Sequence, residues 1–116
     1  MNPDLADRLF EFSVNVLQFL KTLPNNQEIR VIRYQLIKSS TSTGANYEEA
    51  QAGSSKADFT NKVRISLREM RETNYWLRLL KKTEKSIVPD RVDSLIIESE
   101  ELKNILGAIV QKCRKA

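Results

Sequence analysis

Apolar residues recur along most of this chain at alternating spacings of three and four, the pattern of one face of an α-helix. In the first segment, about Pro3 to Leu23, Leu5, Leu9, Phe12, Val16, Phe19 and Leu23 form such a seam, and Phe10, Leu17 and Leu20 form a second stripe beside it. Pro3 suits a first helical turn, and "LPNN" at Leu23–Asn26 predicts the stop, because Pro24 disfavours helical geometry at Leu23. The second segment opens near Gln27 and runs through Ile29, Ile32, Leu36, Ser40, Thr43, Tyr47 and Ala50. The third follows "AGSS", where Ser55 and Asp58 form a variant capping box; Phe59, Val63, Leu67, Met70, Asn74, Leu77 and Leu80 then face one way. The fourth starts around Pro89 or Asp90, with Val92, Leu95, Ser99, Leu102, Leu106, Ile109 and Cys113 in phase. No strand-like alternation occurs. Four helical segments with short connections predict one all-α domain over residues 1–116, an antiparallel up-down-up-down four-helix bundle.

One stretch tests that reading. "KSSTSTGANYEEAQAGSS", Lys38 to Ser55, is rich in weak helix formers. It is no phosphate-binding loop, since Gly44 is its only glycine before Gly53 and no Lys-Ser/Thr follows in place. The seam of the second segment crosses it in phase, so it reads as helix, with small residues that admit a close neighbour. Ser40, Thr43, Asn74 and Ser99 occupy seam positions on three segments and predict a polar layer that fixes register.

Charge changes the picture. The formal net charge is +4. From Ser55 to Lys85, nine Lys/Arg stand against four acids, giving +5, so the rest of the chain is slightly acidic. On that helix Arg64, Arg68, Arg71, Arg78, Lys82 and Lys85 are spaced 4, 3, 7, 4 and 3, and Tyr75 fills the gap. Arginine forks suit phosphate and an exposed tyrosine can stack on a base, which makes these seven residues a candidate nucleic-acid surface for RNA or DNA. The bland alternative is a solvated face held by local pairs such as Asp58–Lys62 and Arg68–Glu72. Ile65, Trp76 and Leu79 fall on the side of the same helix away from its core stripe. A second apolar face carrying a tryptophan predicts a homo-oligomer contact there. Glu48 and Glu49 point about 100° apart and cannot form an acid/base dyad, though one of them could meet an arginine of the third helix. Glu98, Glu100 and Glu101 read as a solvated face.

The remaining chemistry is sparse. The chain has no histidine, which removes the commonest general base and most zinc sites, and its one cysteine, Cys113, reads as a small core residue. No nucleophile–base pair or metal spacing stands out, so the expectation is a protein that is not an enzyme and holds no metal or cofactor. There is no bilayer-length apolar run and no signal peptide, which makes a soluble cytoplasmic protein the default.

The blocks "TSTGANYEEA", "SSKADFTNKVRISLREMRET" and "NYWLRLL", between Lys38 and Leu80, resemble the four-helix-bundle proteins encoded in intervening sequences of bacterial 23S rRNA genes. The resemblance implies a small antiparallel bundle, assembly in rings of five and no enzymatic activity. Some members carry a ribosomal-protein label. A related branch, more basic than this chain, serves diversity-generating retroelements as an accessory protein that binds nucleic acid and a reverse transcriptase. The resemblance also implies close packing of the second helix on the third, with Asn46, Tyr47 and Glu49 in a structural polar network. Two functions fit: an oligomeric nucleic-acid-binding accessory protein, or a scaffold ring that holds a protein partner.

Overall fold

A computed structural model describes residues 5–53 and 55–115. Among them the chain forms four helices: α1 (Leu5–Leu20), α2 (Gln27–Gln51), α3 (Lys56–Thr83) and α4 (Pro89–Lys115). The expected role of Pro3 in a first turn lies outside the described residues. α1 stops before its seam does, and Leu23 is buried from the following turn. The Lys38–Ser55 stretch is helical as far as Gln51, in the body of α2.

The caps follow from residues next to each start. Asn26 has extended backbone and accepts the Ile29 amide hydrogen at 2.9 Å; Ser55 does the same for Asp58 at 3.0 Å. Each satisfies one of the amides that a helix start leaves without a partner.

Neighbours in sequence are neighbours in space, and α4 closes back on α1, while the backbones of the two diagonal pairs stay further apart. Contacts descend on one helix as they ascend on the next. Ser13 meets Ser40 and Leu20 meets Arg33; Ser39 meets Thr73 and Thr43 meets Ser66; Asn74 meets Ser99 and Lys81 meets Asp93. The result is the up-down-up-down bundle, a rod of 46 × 20 × 20 Å. Its core is the predicted seam: Leu9, Phe12, Leu36, Tyr47, Met70, Leu77, Leu102 and Leu106 are all at most 1% exposed. The seam drifts at the end of α4, where Val110 is buried while Ile109 and Cys113 are half-buried. A straight helix of 3.6 residues per turn departs from a strict 3.5 repeat over that length.

The small residues do bring α2 and α3 together, but through different partners than expected. Thr43 Oγ1 donates to the Ser66 carbonyl at 2.8 Å, and Ser66 Oγ donates to the Thr43 carbonyl at 2.6 Å. About two turns further along α3 and one turn back along α2, Thr73 Oγ1 bonds Ser39 Oγ at 2.8 Å. The other half of the expected layer faces α4, where Asn74 Nδ2 donates to Ser99 Oγ at 2.8 Å. Ser40 joins neither: its hydroxyl is buried without a partner, and its carbonyl accepts from Ser13. Asn74 is thus divided from Thr43 because it points to the α4 side of α3, whereas Ser66 and Thr73 point to the α2 side.

Helix contact this close depends on side-chain size as well as on hydrogen bonds. Ser66→Ala is expected to cost about 1 kcal/mol, the net worth of its hydrogen bonds. Ser66→Leu is expected to cost about 1–3 kcal/mol, because the added volume forces α2 and α3 apart. Urea denaturation of the two variants measures the difference. At the α1–α2 crossing the close residue is Gly44, where an added Cβ would stand 3.5 Å from Leu9 Cβ.

Several expected local pairs are absent. Glu72 accepts from Trp76 Nε1 at 3.3 Å in place of pairing with Arg68, and Arg68 lies 3.6 Å from Glu69. Asp58 makes no ion pair with Lys62 among the described residues, and Glu48 and Glu49 are exposed and reach no arginine of α3. The acidic cluster of α4 is not simply a solvated face. Glu98 and Glu101 both hold Arg8 of α1, at 2.8 and 2.9 Å, and these carboxylates raise the guanidinium's pKa further.

Candidate nucleic-acid interface

α3 positions the basic stripe by a simple division of its circumference. Val63, Met70, Leu77 and Leu80 face the core, Ser66 and Thr73 face α2, and Asn74 faces α4. Arg64, Arg68 and Arg71 therefore fall on the outer flank towards α4, and all three are exposed. Arg64 and Arg71 have no ion-pair partner among the described residues, and the Arg68 side chain is 69% exposed despite its long contact to Glu69. Tyr75 is half exposed on the same flank. Arg78 is more constrained: its Nε donates to Asn74 Oδ1 at 2.8 Å and its guanidinium carbon stands 5.9 Å from the Tyr75 ring centre. It also helps hold the Glu100 carboxyl below its usual range, although the larger cause is the hydrogen bond from Lys103.

Lys82 continues the stripe on the last turn of α3. Lys85 lies beyond Thr83, in the connection to α4, so it extends the basic surface without sharing the helical register. Arg64 and Lys82 are eighteen residue steps apart on one helix, about 27 Å at 1.5 Å per step. The structure thus gathers six of the seven candidate residues on one helical face and places the seventh at its end. Lys81 is not among the free cations, since it pairs with Asp93 at 2.6 Å.

Trp76 and Leu79 are half-buried and pack against the core, and Ile65 is half-buried. The Trp76 ring also meets Tyr75 edge-on at 5.1 Å. Much of this apolar face is therefore covered within the chain. Sequence reading missed where larger apolar exposure lies. Phe10 is 66% exposed on α1, and Tyr34 and Ile37 are 63% and 40% exposed on α2. The signal was the second stripe of α1, of which only Leu20 is buried.

Between α1 and α4 runs a furrow of about 780 Å³ whose rims carry Asp7, Glu11, Asp90 and Asp93. Its sign opposes phosphate and leaves the α3 flank as the cationic side. No group of three or more His, Cys, Asp or Glu side chains is arranged to hold a metal ion among the described residues, and no helix there is long and apolar enough to cross a membrane.

The fold and the flank define the class: a small antiparallel four-helix bundle with a cationic helix face. The family described as 23S rRNA-intervening sequence protein matches residues 2–108, and the chain belongs to it. A crystal structure at 1.70 Å of a protein of unknown function from the S23 ribosomal protein family of Bacteroides thetaiotaomicron superposes with a TM-score of 0.82. The two share 40% identity over 91% of this chain and 97% of the other. Comparison with curated proteins finds no match.

Proposed function

We propose that this protein is a non-enzymatic, homo-oligomeric accessory protein of the cytoplasm that binds RNA or DNA through α3. The observation that carries this reading is the run of exposed arginines at 64, 68 and 71, with no carboxylate placed to neutralise Arg64 and Arg71. Contacts of this kind go to phosphates. They add with each neutralised charge and carry little sequence preference. Tyr75, Arg78, Lys82 and Lys85 extend the surface, with Tyr75 available for stacking. The family's connection with 23S rRNA genes favours RNA as the first ligand to try. Assembly through Ile65, Trp76 and Leu79, in a ring of five as the family resemblance implies, would repeat the stripe around the ring and multiply its phosphate contacts.

A second reading, a scaffold ring for a protein partner with no nucleic-acid role, is favoured by the exposed apolar residues of α1 and α2. One experiment separates the two. Anisotropy of fluorescently labelled rRNA-derived RNA, with duplex DNA alongside, is followed across a salt series. The nucleic-acid reading expects binding that weakens steeply with salt. Absence of binding even at low salt would reduce the stripe to a solvated face and favour the scaffold.

A further inference from the structure

A chain of hydrogen bonds runs from the middle of α4 to the surface of α3, and its direction is fixed. Ser99 Oγ donates to the Ile96 carbonyl at 2.8 Å, so it offers only lone pairs across the interface. Asn74 therefore turns its amino group inward, and Nδ2 donates to Ser99 Oγ at 2.8 Å. That leaves Oδ1 facing outward, where it accepts from Arg78 Nε at 2.8 Å. Ser99 and Asn74 are 0% and 3% exposed, so water does not compete for these bonds. Arg78 itself is exposed, and Glu100, a carboxylate that feels its charge, is already held by Lys103 at 2.6 Å. Only Nε is used by the chain of bonds; the two terminal amino groups of the guanidinium keep their N–H donors.

Tyr75 is held alongside. The Arg78 guanidinium carbon stands over its ring, 5.9 Å from the centre, and the Trp76 ring meets it edge-on at 5.1 Å. Trp76 is tied in turn to Glu72 through Nε1 at 3.3 Å. Half of Tyr75 remains exposed. Arg71 lies one turn before it and Arg78 one turn after, so a cation stands on either side of the ring. Arg64, Arg68 and Arg71 have no comparable anchor among the described residues.

We infer that Tyr75 and Arg78 form a subsite for an unpaired nucleotide, whose base stacks on the aromatic–guanidinium pair while the phosphates beside it go to Arg71 and Arg78. This rests on the α3 reading and narrows its ligand to single strands. Unpaired bases present open faces, whereas in a duplex those faces are covered by stacked neighbours. Asn74 and Ser99 are positioning residues. They fix the guanidinium plane before the ligand arrives, so less side-chain freedom is lost on binding.

The test uses the full chain with labelled oligouridylate and with its duplex to oligoadenylate. Anisotropy reports binding, and Trp76, the chain's one tryptophan, reports occupancy of the subsite. At salt that screens phosphate contacts, the single strand is expected to outbind the duplex and to change Trp76 emission. Oligothymidylate is expected to behave in the same way, since neither residue reads the ribose. Tyr75→Leu should weaken single-strand binding roughly tenfold and leave the duplex affinity and the salt slope unchanged, because no charge is lost. Arg78→Lys keeps the charge but lacks the fork and the Nε donor, and should reduce the single-strand preference at an unchanged slope. Asn74→Ala and Ser99→Ala, with a melt to confirm the fold, should each weaken single-strand binding in the wild-type background and have no effect beside Arg78→Lys. A merely structural role would persist in both backgrounds, and that result would overturn the positioning of Arg78. If neither single strand outbinds the duplex, if Trp76 emission does not respond, or if Tyr75→Leu keeps the preference, the subsite is wrong and the α3 reading stands. If no probe binds even at low salt, the α3 reading fails and the subsite falls with it.

Discussion

Tyr47→Ala is expected to cost about 3–5 kcal/mol, as the loss of a buried aromatic ring does. Against a total stability of about 5–15 kcal/mol, that leaves the bundle marginal or unfolded at ordinary temperature. Tyr47 is 1% exposed and among the largest fully buried side chains, and its hydroxyl has Gln51 as a hydrogen-bond partner. Tyr47→Phe keeps the ring and is expected to cost only about 1 kcal/mol. Urea midpoints of the two variants give the comparison. The hydroxyl also carries a pH signature. Burial raises its pKa above the ordinary phenol value, the Gln51 hydrogen bond opposing in smaller part. The unfolded chain therefore releases this proton at lower pH than the folded one. Stability is unaffected below the unfolded phenol value of about 10 and falls as pH rises past it, until the folded group also ionises. Tyr47→Phe should remove that part of the alkaline loss, read as a flatter dependence of the urea midpoint on pH.

The fate of Tyr47 shows which parts of the molecule are legible in sequence. Its place on the α2 seam follows from spacing alone, because a heptad names the inward face without knowledge of the partner helix. The resemblance joined Asn46, Tyr47 and Glu49 in one network. In the structure Asn46 turns back to Ser42 on its own helix, Tyr47 pairs with Gln51, and Glu49 stays exposed. Residues adjacent on a helix point about 100° apart. The same limit hid Ser39, Ser66 and Thr73. They sit one step off the seam, where one sequence cannot distinguish a residue that reaches a neighbouring helix from one that reaches water. Ser40 lies on the seam and finds no partner, since a hydroxyl needs an acceptor at a particular height on the opposite helix, and only the packed structure sets that height. Arg8 is the converse. Its carboxylates on α4 are ninety residues or more away in sequence, a separation at which no local pattern applies.

The α3 stripe was legible for a different reason. Exposed residues on one helix keep the spacing the sequence gives them, and no packing detail is needed to align Arg64, Arg68 and Arg71. Reversing all three to glutamate is expected to abolish binding of labelled RNA at moderate salt while leaving the fold intact, because each side chain is exposed and none supports the core. The size of the effect follows from counterion release. Each neutralised phosphate contributes about 0.9 to the slope of log affinity against log salt on duplex DNA, and about 0.7 on a single strand. Losing three contacts in one subunit should therefore lower the slope by about two to three, and the added negative charge weakens encounter further. Neutral Arg64→Gln/Arg68→Gln/Arg71→Gln removes the same contacts without repulsion. It should show the same loss of slope with a smaller loss of affinity at low salt. Anisotropy across a salt series for both triple variants, beside a circular-dichroism melt, measures slope and fold together. A wild-type slope in the neutral variant would mean that phosphates are held elsewhere on the protein. The α3 flank would then be a solvated face, and the apolar stripes of α1 and α2 would become the first surface to probe for a protein partner.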